Sequence, residues 1–223
     1  MFHVEQRPVP ARDLLAKGAR ELGLSLTDVQ LADLLLYLRE LQIWNQKINL
    51  TAMRREEEIL VKQFLDSLMC SVALRQGPPV CPLLDIGTGA GFPGLPLKVL
   101  CPDLPVDLLE PNQKKLAFLR VVIGRLKLER VVAHPARIEE FARQADLQGR
   151  YAYIVSRALS PERFLPSIGP LLNERSRVIL FRSLSDDEAH LLDEHSLKVS
   201  DRISYTLPFG HGNRTLCVLE RMT

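Results

Sequence analysis

Leu83-Leu84-Asp85-Ile86-Gly87-Thr88-Gly89-Ala90-Gly91-Phe92-Pro93-Gly94 decides the fold of this 223-residue chain. The apolar run from Val80 to Ile86 reads as a buried strand. A glycine-spaced loop follows it, and Leu95 to Leu100 reads as the start of a helix. That order grips nucleotide-like ligands, because glycines let the backbone turn tightly and approach a ligand without a Cβ in the way. Two phosphate-binding versions fail on particular residues. A dinucleotide fingerprint requires G-x-G-x-x-G, and the sixth position here is Phe92. A phosphate loop requires Gly-Lys-Ser/Thr at its end, and Gly94 is followed by Leu95-Pro96. What stands is acidic-x-Gly-x-Gly-x-Gly.

The next apolar run, Val106-Asp107-Leu108-Leu109-Glu110-Pro111, ends in a carboxylate 23 positions after Gly87 (110 − 87). A carboxylate about 20 residues beyond such a loop can accept both ribose hydroxyls of an adenosine. Loop and carboxylate together resemble the first motifs of S-adenosylmethionine-dependent methyltransferases.

Composition is that of an ordinary globular protein, 46% hydrophobic and 25% charged, with room for one α/β domain and an appendage. Residues 79–97 are apolar apart from Asp85, but their four glycines and four prolines exclude a lipid-exposed span. Met1-Phe2-His3-Val4-Glu5-Gln6-Arg7 lacks the basic-then-apolar order of a signal peptide, so a soluble cytoplasmic protein without membrane contact is expected. Cys70, Cys81, Cys101 and Cys217 show no metal-ligand spacing and read as small buried hydrophobes. His190 and His195 read as surface residues, and no metal is expected. A net charge of +2 is too small for indiscriminate nucleic-acid binding but permits a local basic face.

The periodicity changes near residue 78. Before it the pattern is helical. Ala11 to Leu22 is amphipathic, Thr27-Asp28-Val29-Gln30 is a capping box opening a second helix, and Glu56 to Ala73 is a third with Leu60, Phe64, Leu65, Leu68 and Val72 on one stripe. Gly77-Pro78-Pro79 breaks it. After that, strands are predicted over 80–86, 105–110, 130–134, 151–156, 176–182, 197–206 and 214–220. Helices are predicted over 94–101, 111–126, 137–146, 161–172 and 185–194. The alternation predicts an α/β fold with a seven-stranded, mostly parallel sheet ending in an antiparallel hairpin, plus N-terminal helices, and the resemblance of the loop makes it a Rossmann-like class I methyltransferase fold. Residues 1–78 form a helical extension packed on the core, and 79–223 form the cofactor-binding core of the same structural unit.

The fourth strand ends Ile154-Val155-Ser156-Arg157-Ala158-Leu159. It carries neither the Asn/Asp-Pro-Pro-aromatic turn used on exocyclic amines nor a cysteine nucleophile for cytosine carbon. An acceptor that loses no proton, such as guanine N7, is permitted by this chemistry though not selected by it. Orientation then supplies the catalysis, with effective molarities of about 10⁵ M or more. Arginine suits phosphate or a base edge other than the one attacked, and Arg157 is the charged residue available.

Trp44-Asn45-Gln46-Lys47-Ile48-Asn49-Leu50-Thr51, Phe64-Leu65-Asp66-Ser67-Leu68, the glycine loop with its Phe92-Pro93-Gly94 continuation, and Ser156-Arg157-Ala158 together resemble one family. It is the bacterial ribosomal RNA small subunit methyltransferase G family, formerly called glucose-inhibited division protein B. The resemblance covers about residues 40–220. It implies S-adenosylmethionine as methyl donor and N7 of one guanine of 16S rRNA as acceptor; the near-neutral charge adds the expectation of a folded substrate, the small subunit or an assembly intermediate, and a monomer is expected.

The resemblance also implies the site. Gly87, Gly89 and Gly91 line the methionine end of the cofactor, with Asp85, Thr88 and Phe92 in the same loop. Glu110 holds the ribose, and backbone groups of Ile138 and Glu139 meet the adenine. Asn49, Asp66 and Arg157 stand at the catalytic, acceptor side, Arg157 also bordering the cofactor. Lys114, Lys115, Arg182 and Arg54 are the RNA-contact candidates. Two departures are visible: Lys62-Gln63 where the family commonly has Arg-His, and Arg182-Ser183 where lysine-glycine is frequent. A small-molecule methyltransferase of the same fold, or a non-enzymatic ribosome-assembly factor, is the alternative reading.

Overall fold

The computed structural model describes residues 9–74 and 82–222, with the side chains of 186, 187 and 189 outside the description. Strands β1 (Leu83–Ile86), β2 (Val106–Leu109), β3 (Val131–His134), β4 (Tyr151–Ser156), β5 (Leu172–Leu180), β6 (Leu197–Thr206) and β7 (Asn213–Arg221) form one sheet in the order β3-β2-β1-β4-β5-β7-β6. β1 to β5 run parallel and β7 is antiparallel to both β5 and β6, so the expected terminal hairpin is present. β1, β2 and β4 are buried along their whole length, as strands covered on both faces must be. The order reverses direction between β1 and β4. That switch point is where open α/β sheets bind ligands, outside the carboxyl ends of the strands.

Five helices flank the strands: α6 (Gly94–Leu100), α7 (Gln113–Arg125), α8 (Ile138–Phe141), α9 (Leu165–Ile168) and α10 (Asp186–Glu194). Two predicted helices are shorter than expected. The segment 137–146 is α8 followed by a 3₁₀ turn, Ala145–Leu147. The segment 161–172 is a string of short turns around α9, because Pro161, Pro166 and Pro170 each remove a backbone donor. β5 begins at Leu172 rather than 176, inside what was read as helix.

The N-terminal helices α1 (Ala11–Glu21) and α2 (Asp28–Asn45) form as predicted. The capping box is present in full, Thr27 accepting from Gln30 N and the Gln30 side chain accepting from Thr27 N. The third helix is not regular. It runs as α3 (Glu56–Ile59), a π-helical segment Leu60–Leu65, α4 (Asp66–Leu68) and α5 (Cys70–Leu74). The predicted break at Gly77-Pro78-Pro79 and Cys81 lie outside the described residues. Among the other cysteines, Cys70 and Cys217 are buried and Cys101 partly so. His190 is exposed, but His195 is half-buried with its Nε2 enclosed, a correction to the surface reading.

Helical cap and sheet share one core. Leu15, Leu34, Tyr37, Leu41, Phe64 and Leu65 are in the same buried cluster as Leu83, Leu95, Leu108, Phe118 and Val155. Tyr37 stacks on Phe92 at 5.2 Å between centroids, Phe64 meets both edge-on, and Trp44 lies 5.8 Å from Phe118. Such pairs add about 0.5–1.5 kcal/mol each beyond burial.

Candidate active site

The glycine loop opens at the switch point with positive φ at Gly87 (69°), Gly89 (62°) and Gly91 (96°), a region that side chains with a Cβ rarely adopt. Gly89 and Gly91 serve different ends. A Cβ on Gly89 would meet nothing closer than the Gly87 carbonyl at 3.9 Å, so this backbone is bare toward the ligand space. A Cβ on Gly91 would stand 2.5 Å from the Tyr37 hydroxyl and from Leu95, so Gly91 lets the loop seat against the cap. Tyr37 donates its hydroxyl hydrogen to the Ala90 carbonyl there.

Beneath the loop, Asp85 Oδ2 accepts from the Thr88 hydroxyl (2.6 Å) and from Gly94 N (2.8 Å). Its other oxygen, Oδ1, is buried and without a partner among the described residues. Burial raises the Asp85 carboxyl to about 7, against the pull of these hydrogen bonds and of Arg157. Glu110 reaches back from the end of β2. Its Oε2 accepts from Gly89 N (3.1 Å) and its Oε1 from Asn112 N (2.8 Å), leaving further lone pairs on both oxygens.

The cleft in front of these groups has a volume of about 640 Å³. Gly87 and Glu110 line one side, Arg137, Ile138 and Glu139 a second, and Ala158, Leu159, Glu162 and Arg163 the third. Lys115 stands at its rim. Bare loop backbone, an acidic group on the adjacent strand and an unpartnered buried carboxylate oxygen behind the loop fit an adenosine with a cationic tail.

At the carboxyl end of β4, Arg157 does not point freely into this cleft. Its guanidinium donates to the carbonyls of Gln63 (3.3 Å) and Lys62 and to the Ser67 hydroxyl (3.2 Å), and pairs with Asp66 Oδ2 at 3.5 Å. Both carbonyls lie in the π-helical segment, and that of Gln63 accepts from the Ser67 hydroxyl and the Asp66 backbone N–H as well. Burial lowers the Arg157 pKa, with Asp66 the chief opposing influence. Asp66 is fixed from its other oxygen by the Tyr205 hydroxyl at 2.6 Å. Arg157, Asp66 and Tyr205 therefore join β4, the helical cap and β6.

The expected site residues thus divide. Gly87, Glu110, Ile138, Glu139 and Lys115 share the cleft, Gly89 is bonded to Glu110 at its edge, and Asp85 and Thr88 lie behind the loop. Phe92 does not face the ligand space: it packs in the aromatic cluster with Tyr37 and Phe64, because the loop continues straight into the cap interface. The Asn49 side chain is exposed and makes no hydrogen bond among the described residues. Asn45 organises that turn instead, its Oδ1 accepting from Leu50 N (2.9 Å) and Thr51 N (3.0 Å) and its Nδ2 donating to the Thr51 carbonyl (3.1 Å). Arg182 is paired with Glu188 at 2.9 Å, while Lys114 and Arg54 are exposed with no side-chain partner among the described residues. Tyr37 and Tyr205 escaped the sequence reading. No local signal marks a tyrosine that meets its partner 53 or 139 residues away.

Strand order, hairpin and cleft are those of a class I methyltransferase. A mutant of MtNAS in complex with S-adenosylmethionine has a similar fold, at TM-score 0.58 and 17% identity over 95% of this chain and 78% of that one. TrmN from Thermus thermophilus does too, at TM-score 0.53 and 19% identity over 73% and 53%. In sequence, the family profile of rRNA small subunit methyltransferase G matches residues 30–217. Ribosomal RNA small subunit methyltransferase G of Geotalea uraniireducens (strain Rf4) is 38% identical over 95% of this chain and 97% of its own length; that of Roseiflexus sp. (strain RS-1) is 38% identical over 94% and 91%. The chain belongs to the family of ribosomal RNA small subunit methyltransferase G.

Proposed function

We propose that this protein transfers a methyl group from S-adenosylmethionine to N7 of one guanine of 16S rRNA. The observation that carries the reading is the Glu110 carboxylate, hydrogen-bonded to Gly89 N at 3.1 Å, lining a cleft of about 640 Å³ together with Ile138 and Glu139. Glu110 accepts the ribose hydroxyls, Ile138 and Glu139 border the adenine, and Gly87 and Gly89 leave room for the methionine end. When bound, S-adenosylmethionine supplies an electrophilic methyl group on a sulfonium.

The chain's own part is orientation. Guanine N7 attacks with its lone pair and sheds no proton, so the acceptor side needs no general base. Ser156-Arg157-Ala158 supports this reading, with no thiol in the segment and a guanidinium committed to the cap. Asp66 and Arg157 act on the acceptor side by holding its wall. Lys115, Lys114 and Arg54 meet RNA phosphates, with Arg182 a lesser contributor because Glu188 neutralises it. Family membership supports a monomer working in the cytoplasm on the small subunit or an assembly intermediate. No helix among the described residues is long and apolar enough to cross a membrane.

The test is transfer of tritiated methyl from S-adenosylmethionine to small subunits from a strain lacking this activity, followed by borohydride–aniline cleavage at N7-methylguanine. Label at a single guanine of 16S rRNA is expected. Label absent from RNA, with cofactor binding intact, removes the acceptor assignment.

A further inference from the structure

The segment Trp44 to Thr51 carries much of the family resemblance, yet it takes no part in the cofactor cleft. What it builds is a second, smaller pocket of about 200 Å³ between the end of α2 and the loop leading to α3. Leu41 and Ile59, both buried, form the floor. Gln42, Gln46, Met53 and Arg54 form the sides and mouth.

The pocket is preformed. Asn45 spends its amide on the three backbone bonds that shape the turn, and Gln42 Nε2 is anchored on Glu56 at 2.9 Å. Gln46 and Arg54, by contrast, have no partner among the described residues, and both are exposed. Arg54 is a cation without a counter-ion, unlike its neighbour Arg55, which pairs with Glu57.

Position links this pocket to the acceptor side. Met53, on its wall, accepts from the Gln63 amide at 3.7 Å, and the carbonyl of the same Gln63 accepts from Arg157 at the end of β4. One residue therefore separates the pocket from the strand end beyond which the acceptor is presented.

The geometry points to a subsite for a single unstacked RNA base next to the methylated guanine, its edge read by the Gln46 amide and its phosphate met by Arg54. Several features match a heterocyclic base. The volume holds one ring system, the floor is apolar, a polarisable thioether lines the wall, and a side-chain amide offers both donor and acceptor. Sequence-specific RNA recognition works in this way, on splayed-out bases of loops. The inference rests on the rRNA reading above and adds to it a second, flanking contact.

Gln46→Ala and Arg54→Ala change exposed, unbonded side chains, so both variants fold. Each is expected to raise KM for small subunits about tenfold, leaving kcat and the Kd of S-adenosylmethionine unchanged. Arg54→Ala also lowers the slope of log KM against log salt by about one, whereas Gln46→Ala leaves that slope alone. Wild-type KM in both variants, or a salt-slope change in both, overturns the base subsite. If the wild-type protein methylates no RNA, side-chain amide NMR separates the two ideas. Shifts at Gln42 and Gln46 with nucleoside 5′-monophosphates, absent with inorganic phosphate alone, uphold the subsite while the rRNA reading falls. Shifts with neither probe, or with phosphate alone, overturn it.

Discussion

Asp85 and Glu110 sit on adjacent strand ends and are held in opposite ways. Glu110 is satisfied by two backbone N–H groups, whereas Asp85 keeps one oxygen unpartnered and its carboxyl rises to about 7. Replacing Glu110 with Ala leaves Gly89 N and Asn112 N without these acceptors and removes the proposed ribose contact. A loss of about 1–3 kcal/mol in S-adenosylmethionine affinity is expected by calorimetric titration. The consequence of Asp85 is read as stability. In the unfolded chain its carboxyl ionises near 3.8, while in the folded, cofactor-free protein it keeps its proton to about 7. Its contribution is therefore most favourable at low pH and is lost as pH rises from about 4 to about 7, by up to about 4 kcal/mol over three units. Asp85→Asn removes this penalty. The stability gained by the variant over wild type should grow between pH 5 and pH 8 in urea unfolding, and an equal difference at both values counts against a buried neutral carboxyl.

At the scale of elements, the irregular third helix is the informative one. Its π-helical segment carries the Lys62 and Gln63 carbonyls, and both accept from Arg157 across to the end of β4. Asp66 is the counter-charge, buried, and shared with Tyr205 from the hairpin. Arg157→Met should destabilise the fold by about 3–5 kcal/mol, since it leaves the Asp66 carboxylate buried without its cation. Tyr205→Phe removes one hydroxyl and should cost about 1–3 kcal/mol. The double variant should cost less than the sum, because both act on one carboxylate; strict additivity in urea midpoints would show the tie to be inactive. A second cluster supports the far wall of the cleft. Asp107 accepts from His134 and Tyr151, each at 2.8 Å, and these bonds hold its carboxyl below the usual range despite burial. His134 in turn lies 4.8 Å from Phe141 at the end of α8.

For the whole molecule, charge is balanced rather than basic, at +2, and many exposed cations are paired, among them Arg12, Arg55, Arg150 and Arg182. Others, Arg54 and Lys114 among them, are exposed with no ion pair among the described residues, and those two are among the proposed RNA contacts. KM for small subunits should rise with salt along a slope of a few phosphates, while the Kd of S-adenosylmethionine stays nearly constant. A flat KM would favour an acceptor without phosphates.

The succession of strands along the chain, the cofactor loop and the Glu110 carboxylate were legible from the chain alone, because each is encoded locally. Apolar runs specify strands, glycine specifies positive φ, and short spacing joins the loop to its ligand. The terminal hairpin and the Thr27 capping box belong to the same class. Tertiary structure alone decided the fates of Arg157, Asp66 and Phe92. Arg157 and Asp66 became partners across 91 residues of chain (157 − 66), and Phe92 turned inward to stack on Tyr37. The π-helical irregularity was equally invisible, since residues 60–65 have an ordinary helical pattern. Local propensity writes the elements; a buried charge or ring is assigned only when packing decides which partner satisfies it.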